Sequence, residues 1–345
     1  MKNFFYWLLK IYVKAALHLY FGRIEVHGLE NVPKTGAVLF LPNHQKALID
    51  VLLIVTDCHR KPYFLTRSDV FNKQVLRRFF AFLQMIPIYR MRDGRNQLKN
   101  NEAVFKKCTE LFENEEAIVL FPEANHNLRR RVRNLSKGFT RIVFHSLKQS
   151  PSNEILMIPV GLNYLKSTGF PDKVAVYYGK PIVSSQLYDP HDVFTSVQNT
   201  KKQVKEQLKQ LTTHIEDEPN YEAIIQIMEE KNVNFLNPME SNKFIKSSES
   251  KTKRESGKNS KPVIFKSVFQ LCNVAALVPW RLWMKPKVWE PEFLSTLRFA
   301  YAMVVYPICY ILFLSLFTAG FGFGVAIILV FFHVLFNWAY VKGGP

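Results

Sequence analysis

Acidic side chains are scarce in this chain, and tryptophan is missing from its whole middle. The 28 Asp+Glu face 46 Lys+Arg, a formal charge of +18. Such an imbalance calls for an anionic partner, and nucleic acid and anionic lipid both qualify. The tryptophans separate the two. All five (Trp7, Trp280, Trp283, Trp289, Trp338) lie near the ends of the chain, in or beside apolar segments. Trp gathers at bilayer interfaces because its ring is apolar while its N–H seeks water, so their placement favours a membrane. Cysteine is also sparse. Cys58, Cys108, Cys272 and Cys309 are too scattered for a zinc site or a disulfide framework and read as reduced packing residues. No metal or resident cofactor is expected.

Charge is absent altogether from residues 299–341 if His333 is neutral. As helix this stretch would reach about 65 Å, roughly twice the ~30 Å of a bilayer core. The run Ala319-Gly320-Phe321-Gly322-Phe323-Gly324 divides it, so two transmembrane helices are expected, at about 299–318 and 325–341. Arg298 and Lys342 flank the pair. A stretch rich in Lys and Ser, residues 241–266, precedes it, with eight basic residues against Glu249 and Glu255. These charges predict an integral membrane protein with both hairpin ends, and the domain that precedes them, on the cytoplasmic face. A buried helical hairpin in a soluble core is the alternative. At the other end, Lys10, Lys14 and His18 recur every four residues among apolar neighbours, which suits a helix lying in the membrane interface. A signal peptide is the rival, but two lysines interrupt it and no clear cleavage site follows.

What remains is ample for a core: 345 residues, 48% hydrophobic, 21% charged. Strands are predicted at 37–41, 63–66, 86–89, 117–121, 156–162 and 174–178. Helical patterns lie between them near 49–57, 70–83, 96–114 and 137–149, and an amphipathic helix over 199–232 breaks near Pro219. Alternation of this kind predicts an α/β fold with a mixed sheet flanked by helices. The expected organisation is an interfacial helix over 1–22, an α/β domain over 23–235, a basic linker over 236–266 and a membrane region over 267–345.

Four clusters carry chemistry. Asn43-His44-Gln45-Lys46-Ala47-Leu48-Ile49-Asp50 follows a strand, where α/β folds gather ligands, and a nearby Asp can fix the tautomer of a His that takes a proton. A structural His at a helix start has the same appearance. Pro87-Ile88-Tyr89-Arg90 puts a guanidinium at another strand end, suited to a phosphate. Phe121-Pro122-Glu123-Ala124-Asn125-His126 presents Glu123 where a strand stops. Arg129, Arg130, Arg131, Arg133 and Lys137 precede Gly138, as an anion site or a membrane-facing patch.

In order and spacing these clusters resemble the lysophosphatidate/glycerol-phosphate acyltransferase family (PlsC-type). That family has His-x(4)-Asp after the first strand, a later strand ending in Arg, then Phe-Pro-Glu-Gly-Thr-Arg, then Val-Pro-Val. Ile158-Pro159-Val160-Gly161 takes the fourth place here, and Tyr178-Gly179-Lys180-Pro181-Ile182 resembles the closing Gly-x-Pro-Ile. The likeness covers about residues 20–185. The resemblance implies that His44 is the catalytic base and Asp50 its partner. Arg90, Glu123, Arg129 and Lys137 would then position the substrate. The reaction implied is acyl transfer from acyl-CoA or acyl carrier protein to lysophosphatidate or glycerol 3-phosphate at an anionic phospholipid membrane, without nucleic acid. Two departures stand out. Asp50 lies six positions after His44, so the turn before the helix must absorb one residue. Ala124, Asn125 and His126 replace Gly, Thr and Arg, leaving Arg129 or a neighbour to supply the cation. Another lysolipid acceptor, or an inactive lipid-binding scaffold, remains open. The C-terminal hairpin lies outside the shared region and is expected to anchor or oligomerise without touching the chemistry.

Overall fold

The computed structural model describes residues 2–71, 78, 80–90, 99–216, 218–247 and 263–343. A mixed eight-stranded sheet forms its centre, in the order β1 (Phe21–His27), β7 (Asp172–Tyr178), β6 (Ile155–Tyr164), β2 (Ala37–Pro42), β5 (Ala117–Val119), β3 (Tyr63–Arg67), β4 (Met85–Ile88), with β8 (Ile182–Val183) pairing β6. All neighbours are parallel except β6 with β7 and β8. Strand β2 is buried at every position. Its side chains still alternate: Val38 and Phe40 enter one core, Leu39 and Leu41 the other. Two apolar layers therefore clamp one central strand, as expected where helices cover both faces of a parallel region.

The first layer comes from α1 (Lys2–Tyr20) and α2 (Leu48–Asp57), through Leu17, Ile49 and Leu53. Phe299 of a C-terminal helix joins it. The second comes from the helices Asn101–Glu113, Gly138–Gln149 and Val193–Leu211, through Phe112, Phe139, Ile142, Val204 and Leu208. The glycine of Ile158-Pro159-Val160-Gly161 has a steric reason. A Cβ there would lie 2.1 Å from the Leu211 carbonyl oxygen, so only glycine lets that helix end reach β6. The last motif docks on the same strand, Gly179 N–H donating to the Pro159 carbonyl at 2.9 Å.

Six predicted strands form within a few residues of their expected bounds, and β1 and β8 are additional. Strand β1 carries Arg23, Glu25 and His27 on an edge, with too little apolar periodicity to announce itself. The expected helix at 70–83 falls largely outside the described residues, as do 248–262 of the basic linker. Elsewhere that linker needs correction. Residues Pro238–Lys246 form a helix. Ser241 is buried there and hydrogen-bonds Thr213 at 2.8 Å, and Asn242 donates to the Lys209 and Thr212 carbonyls. A polar sequence that binds helix-end carbonyls this way reads as linker because its contacts are hydrogen bonds rather than apolar burial.

Two helices are long and apolar enough to cross a membrane, Glu292–Phe321 and Phe323–Lys342. Gly322, at φ 81°, breaks them where the glycine run predicted. Their most apolar stretches are 0% and 17% buried, which removes the buried-hairpin alternative. Both ends return to the sheet: Arg298 donates to the Thr168 carbonyl and Lys342 to that of Phe21. Helix α1 is arranged alike. Its lysines turn inward, Lys10 to the Cys58 carbonyl and Lys14 to Asp57, while Phe4, Phe5, Trp7, Leu8 and Ile11 are exposed.

Candidate active site at the carboxyl edge of the sheet

Because β2, β3, β4, β5 and β6 run parallel, the segments after them gather on one edge. Asn43 begins the site by extending the ladder beyond β2. Its N–H donates to the Val160 carbonyl, its amide nitrogen to that of Leu162, and its side-chain oxygen accepts from Leu162 N–H at 2.7 Å. The chain then leaves the sheet, and His44 stands at the exit.

His44 Nδ1 lies 2.8 Å from Asp50 Oδ2. The same oxygen accepts the backbone N–H groups of Gln45 (2.8 Å) and Lys46 (2.9 Å), and Oδ1 accepts the Tyr164 hydroxyl at 2.5 Å. Asp50 is fully buried, and four donors leave its carboxylate one orientation. Burial and the neighbouring Asp50 charge raise the Tyr164 phenol well above its ordinary range, so it stays protonated and keeps donating. A carboxylate at Nδ1 places the imidazole proton there, leaving Nε2 with its lone pair and no hydrogen bond to the described residues. The ring stacks on Phe121 at 3.9 Å between centroids, and Asn127 N–H donates to the His44 carbonyl. This is a rigid imidazole with one nitrogen ready to take a proton.

The six-residue spacing works because helix α2 starts late. Its first residue is Leu48, so Asp50 lies in the first turn and folds back on the loop. Ala47 absorbs the extra residue at φ 48°, ψ −122°, a conformation that favours glycine and costs about 1–3 kcal/mol for other residues. We expect Ala47→Gly to keep or raise the thermal midpoint, since relief of strain opposes glycine's greater unfolded entropy. Ala47→Val should lower both midpoint and turnover. A midpoint lowered equally by both substitutions would show that the backbone here is unstrained.

Lys46 lies beneath this loop, almost fully buried. Its ammonium is 2.5 Å from Asp172 and 2.9 Å from the Lys166 carbonyl, 4.2 Å above the Tyr164 ring. Burial pushes its pKa below the usual lysine range, and Asp172 pulls against that. Asp172 thereby ties the start of β7 to the histidine loop, although nothing in its sequence neighbourhood marks it.

Glu123 is buried and engaged with one arginine. Arg133 donates its backbone N–H (2.9 Å) and guanidinium (3.1 Å) to the two carboxylate oxygens. The cation beside Glu123 is thus Arg133. Arg129 instead lies over the Tyr221 ring and faces Glu218 and Glu222, and Arg131 pairs with Glu218. Arg130 points inward, capping the end of β6 by donating to the Tyr164 and Leu165 carbonyls, and burial lowers its pKa to about 10. The arginine cluster is therefore divided among three tasks. Arg90 sits after β4 with its guanidinium 3.6 Å from Asp69, and Lys137 is exposed just before the helix Gly138–Gln149.

The C-terminal region reaches this loop directly, through residues just ahead of the expected hairpin. The Thr296 hydroxyl donates to the Lys46 carbonyl at 2.7 Å and accepts the Ile49 N–H at 3.3 Å. His126, 5.6 Å edge-on from the His44 ring, pairs with Glu290 at 2.7 Å and meets Phe293 at 4.6 Å. Glu292 is close enough that the three ligand atoms of His126, Glu290 and Glu292 lie within 4.8 Å, but none is buried and the first two already form an ion pair. Removing the Thr296 hydroxyl leaves the Lys46 carbonyl and the Ile49 N–H with only their 3.1 Å bond to each other, loosening the loop between His44 and Asp50. Thr296→Val should lower kcat roughly tenfold by letting the imidazole drift, with Thr296→Ser restoring it. Wild-type kcat in Thr296→Val would show that the contact is only structural.

Residues 23–163 match the family model described as Acyltransferase. The match spans less than half of the chain. His44, Asp50, Arg90, Glu123, Arg129 and Lys137 all fall within it, while the C-terminal half of the chain lies outside the match. No curated protein matches the chain. Among solved structures, the chain is similar to the 1-acyl-sn-glycerophosphate (LPA) acyltransferase PlsC from Thermotoga maritima, at 18% identity and a TM-score of 0.42, over 60% of this chain and 82% of that one.

Proposed function

We propose that this chain is a membrane-bound O-acyltransferase. It moves an acyl group from the thioester of coenzyme A or acyl carrier protein to a hydroxyl of lysophosphatidate or glycerol 3-phosphate, on the cytoplasmic face. The observation that carries this reading is the His44–Asp50 pair. Its free Nε2 stands at the carboxyl edge of the sheet, inside an acyltransferase domain.

Nε2 of His44 takes the proton of the acceptor hydroxyl, and Asp50 stabilises the imidazolium. The acceptor oxygen attacks the thioester carbonyl, the carbon–sulfur bond breaks, and the leaving thiolate recovers the proton from His44. No Ser or Cys stands beside His44 in sequence, and the nearest cysteine, Cys58, is buried beyond the far end of α2, so transfer is direct. Arg90 and Arg133 supply positive charge for the acceptor's phosphate, with Glu123 holding Arg133 in place. The exposed apolar faces of α1 and the hairpin, with Trp283, Trp289 and Trp338, support membrane residence.

The test is thiol release from an acyl-CoA by the full chain in detergent, with each acceptor supplied separately. Release that depends on one acceptor establishes the reaction and names it. With no release from acyl-CoA or acyl carrier protein, an inactive lipid-binding scaffold becomes the better reading.

A further inference from the structure

A cavity of about 380 Å³ lies between α1 and the two C-terminal helices. Ala16 of α1, Phe299, Ala302 and Pro307 of the first helix, Val334 of the second and Phe269 line it. Several of its polar groups are engaged within the wall. Pro307 has no N–H to give the Met303 carbonyl one turn earlier, and the Tyr12 hydroxyl of α1 donates there instead at 2.5 Å. Asn337 donates to the Tyr310 hydroxyl and exchanges hydrogen bonds with Asn273. Most of what faces the interior is hydrocarbon.

The cavity also has a direction. At its near end Tyr20 donates to the Ser295 carbonyl, and the next residue, Thr296, holds the Lys46 carbonyl in the histidine loop. From Phe299 to Tyr310 the lining then runs about 16 Å along a helix apolar enough to cross a membrane. A ligand seated here would have its apolar end deep among these helices and its polar end towards the helix turn that holds the histidine loop. A thioester carried by a water-soluble partner arrives from the opposite side. The reactant already resident in a bilayer, with one chain pointing away from its head group, is a lysolipid.

We propose that this cavity seats the single acyl chain of a lysophospholipid acceptor, so that the C-terminal hairpin is part of the substrate site. The inference rests on the acyl-transfer reading above. It commits that reading to a lysolipid in preference to glycerol 3-phosphate.

The experiment uses the full chain in phosphatidylcholine vesicles and a lysophosphatidate with a diazirine at the end of its acyl chain. After illumination, label is expected in peptides covering Phe299 to Tyr310 and Val334 to Val341, and unlabelled lysophosphatidate should suppress it. Labelling that diacyl phospholipid suppresses equally, or that lysophosphatidate leaves untouched, marks ordinary boundary lipid and overturns the proposal. Label confined to the sheet domain does the same. In parallel, Ala302→Phe fills the cavity and should reduce the KM advantage of a long-chain over a short-chain lysophosphatidate by about tenfold. Should that variant fold poorly, Phe299→Ala enlarges the cavity and should shift preference towards longer chains. Suppressible labelling without any thioester turnover would sustain the cavity and end the acyl-transfer reading. Lysolipid turnover without labelling would do the reverse.

Discussion

Replacing His44 with alanine should lower thioester turnover by about 10²–10⁴-fold while the protein remains folded, because in the proposed reaction the residue supplies a base and little packing. Its side chain is 16% exposed, and its ring contributes one stack on Phe121 and one hydrogen bond to Asp50. Asp50→Asn should be similarly damaging for a different reason. An amide nitrogen at the position of Oδ2 would confront three donors at once and could turn the imidazole into its other tautomer, occupying Nε2 with the proton. Stability should then fall as well, since Gln45, Lys46 and Tyr164 all lose a charged acceptor. Thiol release measured beside a thermal melt separates the two variants. Full activity in His44→Ala would sink the assignment of the base.

The second large effect is expected at Asp172. Removing one partner of a buried ion pair strands the other, at a cost of about 3–5 kcal/mol. Asp172→Ala leaves the Lys46 ammonium inside the protein with the Lys166 carbonyl, the Tyr164 ring and the more distant Asp50 charge. The sign of the accompanying pH dependence follows from Lys46. Burial holds its folded pKa below the unfolded lysine value of about 10.4, so in the window between the two the unfolded chain binds more protons and stability rises with pH. Loss of Asp172 removes the attraction that opposes burial, widens that window downward, and should make the variant visibly more stable at pH 9 than at pH 7. Lys46→Met combined with Asp172→Leu removes both charges and should recover much of the lost midpoint. A flat pH profile in Asp172→Ala would mean that water reaches Lys46.

Turnover in these variants reports on the same loop. Lys46 contributes its backbone N–H to Asp50 and its carbonyl to Thr296. A displaced Lys46 therefore disturbs Asp50, and with it His44, on one side and the helix that carries Thr296 on the other. That coupling joins a helix outside the matched residues to the loop between His44 and Asp50.

The parts of this protein legible in its sequence are those governed by short-range periodicity. Alternation along 37–42 marks a strand clamped between two layers, and the uncharged stretch with its glycine break marks two helices able to cross a membrane. Motif order identifies the domain, because each motif follows a strand whose carboxyl end must lie on one edge of a parallel sheet. Strand β1 and the helix Pro238–Lys246 escape such a reading, since edge strands and polar helices carry little apolar pattern.

Tertiary structure alone decided whether the His44–Asp50 spacing could work, because the answer lies in where α2 begins and in the left-handed backbone at Ala47. It also decided which arginine meets Glu123, and it brought Tyr164, Asp172 and Thr296 to the loop from 114, 126 and 250 residues away from their partners. Hydrogen bonds and ion pairs at such separations leave no periodic trace in a single chain, because each depends on two distant backbones arriving at one point.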